Sequence, residues 1–254
     1  MTNPTLDLIH AHASVRHYKP DPIPDSMIEA LVAAGQAAST SSNLQLYSVV
    51  AVADAARREE LSRLCGDQPQ VARAPLFLAW CADMARLDRA CRARGYSQVT
   101  EFADTFLVAA VDVTIAAQNA ALAAESLGLG ICYIGAIRNH PREVIHLLDL
   151  PRLVFPIVGM TVGFPAETPV RRPRLPIQVV LHRERYREDE DEALRQYDRA
   201  MARAGIYKEG PVPVPGTPGE FEDYGWLEHS ARRVSQGGRA FLRTVLEEQG
   251  FPLR

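Results

Sequence analysis

Three stretches of the chain concentrate groups suited to holding an anion. His12-Ala13-Ser14-Val15-Arg16 sets an imidazole, a hydroxyl and a guanidinium within one turn or so of a helix end. Arg172-Pro173-Arg174 offers two more guanidiniums on a proline-stiffened loop, and a guanidinium fork suits bidentate contact with phosphate. Ser39-Thr40-Ser41-Ser42-Asn43 is a row of hydroxyl donors with backbone N–H groups beside them, a composition that can face a polar ligand. Taken singly, each arginine pair also reads as a surface salt bridge, and the serine row as a helix-to-strand loop.

Other chemistries find little support. There is no Gly-x-Ser-x-Gly elbow. Cys65, Cys81, Cys91 and Cys132 are spaced by 16, 10 and 41 residues, which matches neither a structural zinc framework nor a secreted disulfide scaffold. His10 and His12 lie two apart on a helix and so point in different directions, which argues against a metal pair. Glu188 to Glu192 is acidic throughout and reads as a solvated face. Gly128-Leu129-Gly130 followed by Ile131 to Gly135 resembles a dinucleotide loop only superficially. The order here is helix, glycines, strand, whereas the dinucleotide fingerprint needs a strand before the glycines and a helix after them.

These groups must be positioned by elements that the sequence also outlines. Helices are expected over Thr5–Ala13, Asp25–Ala37, Ala55–Leu64, Thr100–Leu127, Arg142–Leu148, Ala193–Ala204 and Glu228–Gln249, the last broken at Gly237-Gly238. Strands are expected over Tyr47–Val52, Pro75–Ala82, Ile131–Ile134 and Leu153–Val162. Strands and helices mix without regular alternation, which favours α+β over a doubly wound sheet. The helix from Thr100 is apolar on nearly every side and therefore needs cover on nearly every side, which a second subunit would supply. Asp104, Asp112 and Glu125 interrupt it and argue against a membrane span. Gly210 to Glu220 is a Pro/Gly linker. The 254 residues carry 28 basic and 31 acidic side chains, a net −3 that disfavours nucleic acid or an anionic membrane as the main partner. The cysteine usage and the absence of an export-like start point to the cytoplasm.

Five stretches occur in one order: His12 to Tyr18, Ser39 to Gln45, Ala123 to Gly130, Tyr133 to Asn139 and Arg172 to Pro176. In that order they resemble the nitroreductase superfamily, and more narrowly its NADPH-dependent branch of oxygen-insensitive nitroreductases and flavin reductases. The similarity runs from about Leu6 to Asp198 and thins beyond. It implies an α+β fold with a central mixed or antiparallel sheet flanked by helices, in an intertwined homodimer with a long interface helix and FMN at the interface. By the same resemblance, His12, Ser14 and Arg16 contact phosphate and ribityl, as do Arg172 and Arg174. Thr40, Ser41 and Ser42 reach the flavin, Gln68 lies near the ring edge, and Tyr133, Ile134, Gly135 and Ala136 run along the ring. Asn43 and Lys208 fall at the substrate and NADPH side. Ala13, Ala136 and Asn43 depart from the family pattern, which has arginine, glycine and an aromatic there.

The implied reaction is two-electron, ping-pong hydride transfer from NADPH or NADH through FMN to a nitroaromatic, quinone or free flavin, with no dedicated protein acid or base and no metal. A dedicated FMN reductase and a chromate or quinone reductase are rivals within the class; a non-catalytic flavin holder is a rival from outside it, and a plain anion-binding module a more distant one. Residues 1–204 are expected to form the flavin domain. Residues 205–254 are expected to form a linker and a helical extension packed on the partner subunit.

Overall fold

The near-continuous apolar runs of the sequence become strands, and the longer segments around them become helices. The structure, a computed structural model, describes residues 3–188, 190–207, 210–215 and 224–254. The chain divides into two compact units, Met1–Arg171 with Arg239–Arg254, and Arg172–Gly238. The division expected at 204/205 therefore falls inside the second unit. The reason is local: the helix ending at Ala204 packs on the segment that follows it.

The first unit is built on four antiparallel strands, β1 (Tyr47–Val52), β2 (Leu76–Asp83), β3 (Gly130–Ile134) and β4 (Val154–Gly163), in the order β1-β2-β4-β3. All eight residues of β2 are buried, as its unbroken apolar run requires. Val49 pairs with Trp80, and Tyr133 with Met160. Around the sheet lie α1 (Pro4–Ala11), α2 (Asp25–Gln36), α3 (Ala55–Leu64), α4 (Pro69–Arg73), α5 (Ala85–Ala93), α6 (Ala103–Ser126), α7 (Pro141–Leu147) and, from the C-terminal stretch, α11 (Leu242–Glu248). The sheet is antiparallel throughout, the simpler of the two expected forms.

Helix α6 crosses all four strands and packs on α2. Its buried face is nearly all small: Ala109, Val113, Ala116, Ala117, Ala120, Ala121 and Ala124. Its other side is also apolar and open, with Leu107, Val111 and Ile115 exposed to 60%, 44% and 39%. By length and composition alone α6 could cross a membrane, yet its alanine face is committed to the sheet and α2.

Part of the C-terminal stretch is covered by its own chain. Val245, Leu246 and Phe251 are buried, and Phe251 meets the Phe106 ring at 5.2 Å. Leu153 N–H donates to Gln249 O at 2.8 Å, and Arg254 N–H to Glu101 O at 2.7 Å. The final helix is interrupted as expected, with α10 (Trp226–Ser235) ending before Gly237-Gly238 and α11 beginning after them.

The second unit holds α8 (Ile177–Val180), α9 (Asp191–Ala204) and α10. Tyr197 on α9 meets Trp226 on α10 edge-on at 5.9 Å, and Asp198 Oδ1 accepts from Leu227 N at 2.6 Å. Arg232 is buried, donates to Glu228 at 2.6 Å and to Val212 O at 3.1 Å, and lies over the Tyr224 ring. The linker beginning at Gly210 is irregular over its described part, 210–215.

Candidate functional site

After α1 the chain turns extended and runs across the sheet end. Val15 N–H donates to Ile131 O at 2.8 Å, Lys19 N–H to Phe164 O at 2.8 Å, and Ala166 N–H to His17 O at 3.0 Å. Tyr18 Oη donates to Val15 O at 2.7 Å and lies 2.7 Å from Thr161 Oγ1; burial pushes its phenol well above the ordinary range. The close approach requires Gly130, because a Cβ there would lie 2.3 Å from Val15 Cγ2. Ala13 and Val15 are buried while His12, Ser14 and Arg16 are more open. Side chains of an extended segment alternate, so His12, Ser14 and Arg16 share one side. Position 13 faces the other way. The alanine where the family has arginine therefore fills a core position and leaves the outward set intact.

His12 Nδ1 lies 2.5 Å from Glu125 Oε1, near the end of α6. The other oxygen, Glu125 Oε2, is buried without a hydrogen-bond partner among the described residues. An orphaned buried acceptor is costly and asks for a donor. Tyr133, half-buried on β3, has its phenol pushed well up by burial and, after that, by the Glu125 charge; its hydroxyl is 3.4 Å from Gln118 Oε1.

β3 carries Tyr133 and Ile134 directly into a short 3-10 turn, Gly135–Arg138, which contains Gly135 and Ala136. Two guanidiniums that sequence reasoning missed gather here. Arg239 donates to Gly135 O at 3.2 Å and to Asn139 Oδ1 at 2.8 and 3.1 Å, from a left-handed backbone with φ of 55°. Arg138 donates to Ile157 O, and burial, followed by the Arg239 charge, lowers its pKa. Gln68 sits at the start of α4, bonded to Cys65 O at 3.0 Å and to Gln70 at 2.6 Å. Its turn touches the same cluster, since a Cβ on Gly66 would lie 3.3 Å from Asn139 Nδ2. The Gln68 turn and the 133–136 loop are thus brought together.

The hydroxyl row hangs from a second carboxylate on α6. Ser41 N–H donates to Asp112 Oδ1 at 2.9 Å, Leu46 N–H to Asp112 Oδ2 at 3.2 Å, and the Thr40 hydroxyl to the same Oδ2. Thr40 Oγ1 also accepts from Gln45 N at 2.8 Å, so its hydroxyl is engaged within the chain, while Ser41, Ser42 and Asn43 stay exposed. Ser42, Asn43 and Gln45 have φ of 48°, 57° and 53°. Asparagine tolerates that region better than a bulky aromatic would.

In the second unit, Arg172, Arg174, Tyr197, Met201, Tyr207 and Trp226 line a cleft of about 460 Å³. Arg174 donates to Arg172 O at 3.1 Å and Tyr197 Oη to Pro173 O at 3.2 Å, which fixes the basic loop. Tyr207 stacks on His229 at 4.1 Å; burial, then Arg233 and Arg172, lowers the His229 pKa. Lys208 lies outside the described residues. Burial pushes the Cys65 and Cys81 thiols up to about 12, so neither is a nucleophile near neutral pH. Among the described residues no His/Cys/Asp/Glu group could hold a metal.

An antiparallel α+β unit with an extended segment presenting His12, Ser14 and Arg16, followed by a small helical unit with a basic aromatic cleft, fits a known family. The model described as "Nitroreductase family" matches residues 9–164, and "Nitroreductase family, C-terminal domain" matches 172–254. The chain belongs to the nitroreductase family. It is 36% identical to the oxygen-insensitive NADPH nitroreductase of Salmonella typhimurium, over 99% of this chain and 100% of that protein. It is also 36% identical to the FMN reductase (NADPH) of Bacillus subtilis, over 98% of each chain. The solved structure of NfrA2 from B. megaterium superposes with a TM-score of 0.91 at 35% identity, covering 100% of both chains. The likeness thus continues past Asp198, where it was expected to thin, to the C-terminus.

Proposed function

We propose that the chain is an FMN-dependent NAD(P)H oxidoreductase that reduces nitroaromatics, quinones or free flavins in two-electron steps. The observation that carries this reading is the extended segment beside β3. It presents His12, Ser14 and Arg16 on one side, next to a buried, unpartnered Glu125 oxygen, and β3 itself leads straight into the 133–136 loop. A flavin mononucleotide suits this donor set: its phosphate matches guanidinium and hydroxyl, and its ribityl hydroxyls are donors for an orphaned carboxylate oxygen.

Bound FMN supplies hydride acceptance and donation, which leaves the protein the tasks of binding and orientation. Arg16 and Ser14 would hold the phosphate, and the Gln68 turn and the loop from Tyr133 to Ala136 would border the ring. Arg138 and Arg239 put positive potential beside that loop, which suits a ring that gains negative charge. No side-chain acid or base is assigned, because solvent can supply protons at an open face. NADPH is the favoured donor on the names of the two relatives, and NADH an alternative.

The working form is read as a cytoplasmic homodimer. The exposed stripe Leu107, Val111 and Ile115 supports association of two α6 helices. Asp112 and Glu125, which anchor the hydroxyl loop and His12, are 13 residues apart on α6, about 20 Å along its axis. We therefore read the hydroxyl loop as serving the flavin of the partner chain.

The test is an absorbance spectrum of the purified protein after FMN titration, followed by anaerobic addition of NADPH and then NADH. A flavin spectrum bleached by either nucleotide and restored by a nitroaromatic or quinone is expected. A protein that takes up no FMN overturns the reading, and bound flavin that stays oxidised identifies a holder instead of an enzyme.

A further inference from the structure

Asp112 is an unusual residue for its place. It lies mid-helix among alanines and valines, 2% exposed, in a helix that otherwise buries apolar side chains. A buried carboxylate persists where donors satisfy it. Among the described residues its donors come from one loop: Ser41 N–H at 2.9 Å, Leu46 N–H at 3.2 Å and the Thr40 hydroxyl, which itself accepts Gln45 N–H at 2.8 Å. Between these clamps Ser42, Asn43 and Gln45 take left-handed backbone conformations. Non-glycine residues hold that region only where surrounding structure fixes them, and such strain concentrates at functional loops.

The same residue faces a second feature. Ser39, Thr40 and Ser41 on one side and Leu107, Val111 and Ile115 on the other enclose a groove of about 440 Å³, with Asp112 among its lining residues. One carboxylate thus fastens the hydroxyl loop to the helix whose outer stripe is open for a second copy of this chain.

We propose that Asp112 is a positioning residue that sets the hydroxyl loop against α6, so that flavin affinity and chain association are coupled through it. This rests on the FMN-binding reading above. Asparagine at this position offers one acceptor where three donors converge, and its amide group would face Leu46 N–H or Ser41 N–H.

The experiment uses the full chain, with FMN affinity read from quenching of flavin fluorescence and self-association from sedimentation with and without FMN. Circular dichroism of the bound flavin band is recorded at saturation. In the wild type, FMN is expected to tighten association at least tenfold. Asp112→Asn is expected to raise the FMN dissociation constant at least tenfold, to abolish the FMN-dependent tightening, and to alter the flavin dichroism. Thr40→Val, which removes one donor and is the milder change if Asp112→Asn fails to fold, is expected to raise the dissociation constant several-fold. Ala117→Gly weakens α6 without touching the loop; it is expected to lower the thermal midpoint while leaving the FMN dissociation constant within twofold.

Wild-type flavin affinity in Asp112→Asn and Thr40→Val overturns the proposal. So does an equal loss of affinity in Ala117→Gly, or FMN-dependent tightening that survives in Asp112→Asn. Failure of the underlying reading is distinct, because it would show first as a wild-type chain that takes up no FMN.

Discussion

Arg16 is exposed and shares a side with His12 and Ser14, whereas the neighbouring His17 is engaged with Glu167 at 2.5 Å. A guanidinium free to meet phosphate makes charge-assisted bonds worth about 1.5–3 kcal/mol. Arg16→Ala should therefore raise the FMN dissociation constant about tenfold to a hundredfold in a fluorescence titration, with little change in thermal midpoint. An unchanged constant would move the phosphate elsewhere. The residue types of this outward set were legible in the sequence, but their shared side was not, because the helix ends at Ala11 and leaves His12 to Arg16 extended instead of wound into its last turn. Nor were the residues that hold it legible. Glu125 and Asp112 read as mere interruptions of an apolar helix, and only the fold reveals that each faces a loop. Arg239 escaped for a different reason, since its partner Asn139 is 100 residues away.

Most elements followed from hydrophobic runs and capping residues, and β1 and α3 have the expected limits, Tyr47–Val52 and Ala55–Leu64. Three helices did not: α4 and α8 are single short turns, and α5 is rich in arginine with only Ala85 buried, so none carries a long apolar period. The terminal element is interrupted as its paired glycines imply. Within its own chain Phe251 packs on Phe106, with Phe106–Phe251 centroids 5.2 Å apart and Phe106–Phe155 centroids 6.0 Å apart. Periodicity says that a face must be buried and is silent about which chain buries it. Removing a fully buried phenylalanine costs about 3–5 kcal/mol. Phe251→Ala should lower the unfolding free energy by that amount in urea titrations, whereas a loss below 1 kcal/mol would show that the segment packs weakly.

In the proposed homodimer, the exposed Leu107, Val111 and Ile115 stripe is the surface expected to carry association. Burying an unpaired carboxylate at such a seam is strongly unfavourable. Val111→Glu should shift sedimentation toward monomer and, through the hydroxyl loop, release FMN; a dimer of unchanged affinity would place the seam on another face. The extended segment from His12 to Lys19 has a consequence for biosynthesis. Its partners stand as far as 150 residues downstream, at Glu167. At translation speeds of 5–20 residues per second, roughly 10–30 s pass before that partner leaves the ribosome. The segment therefore docks long after it is made, and on the proposed reading cofactor capture waits for that docking.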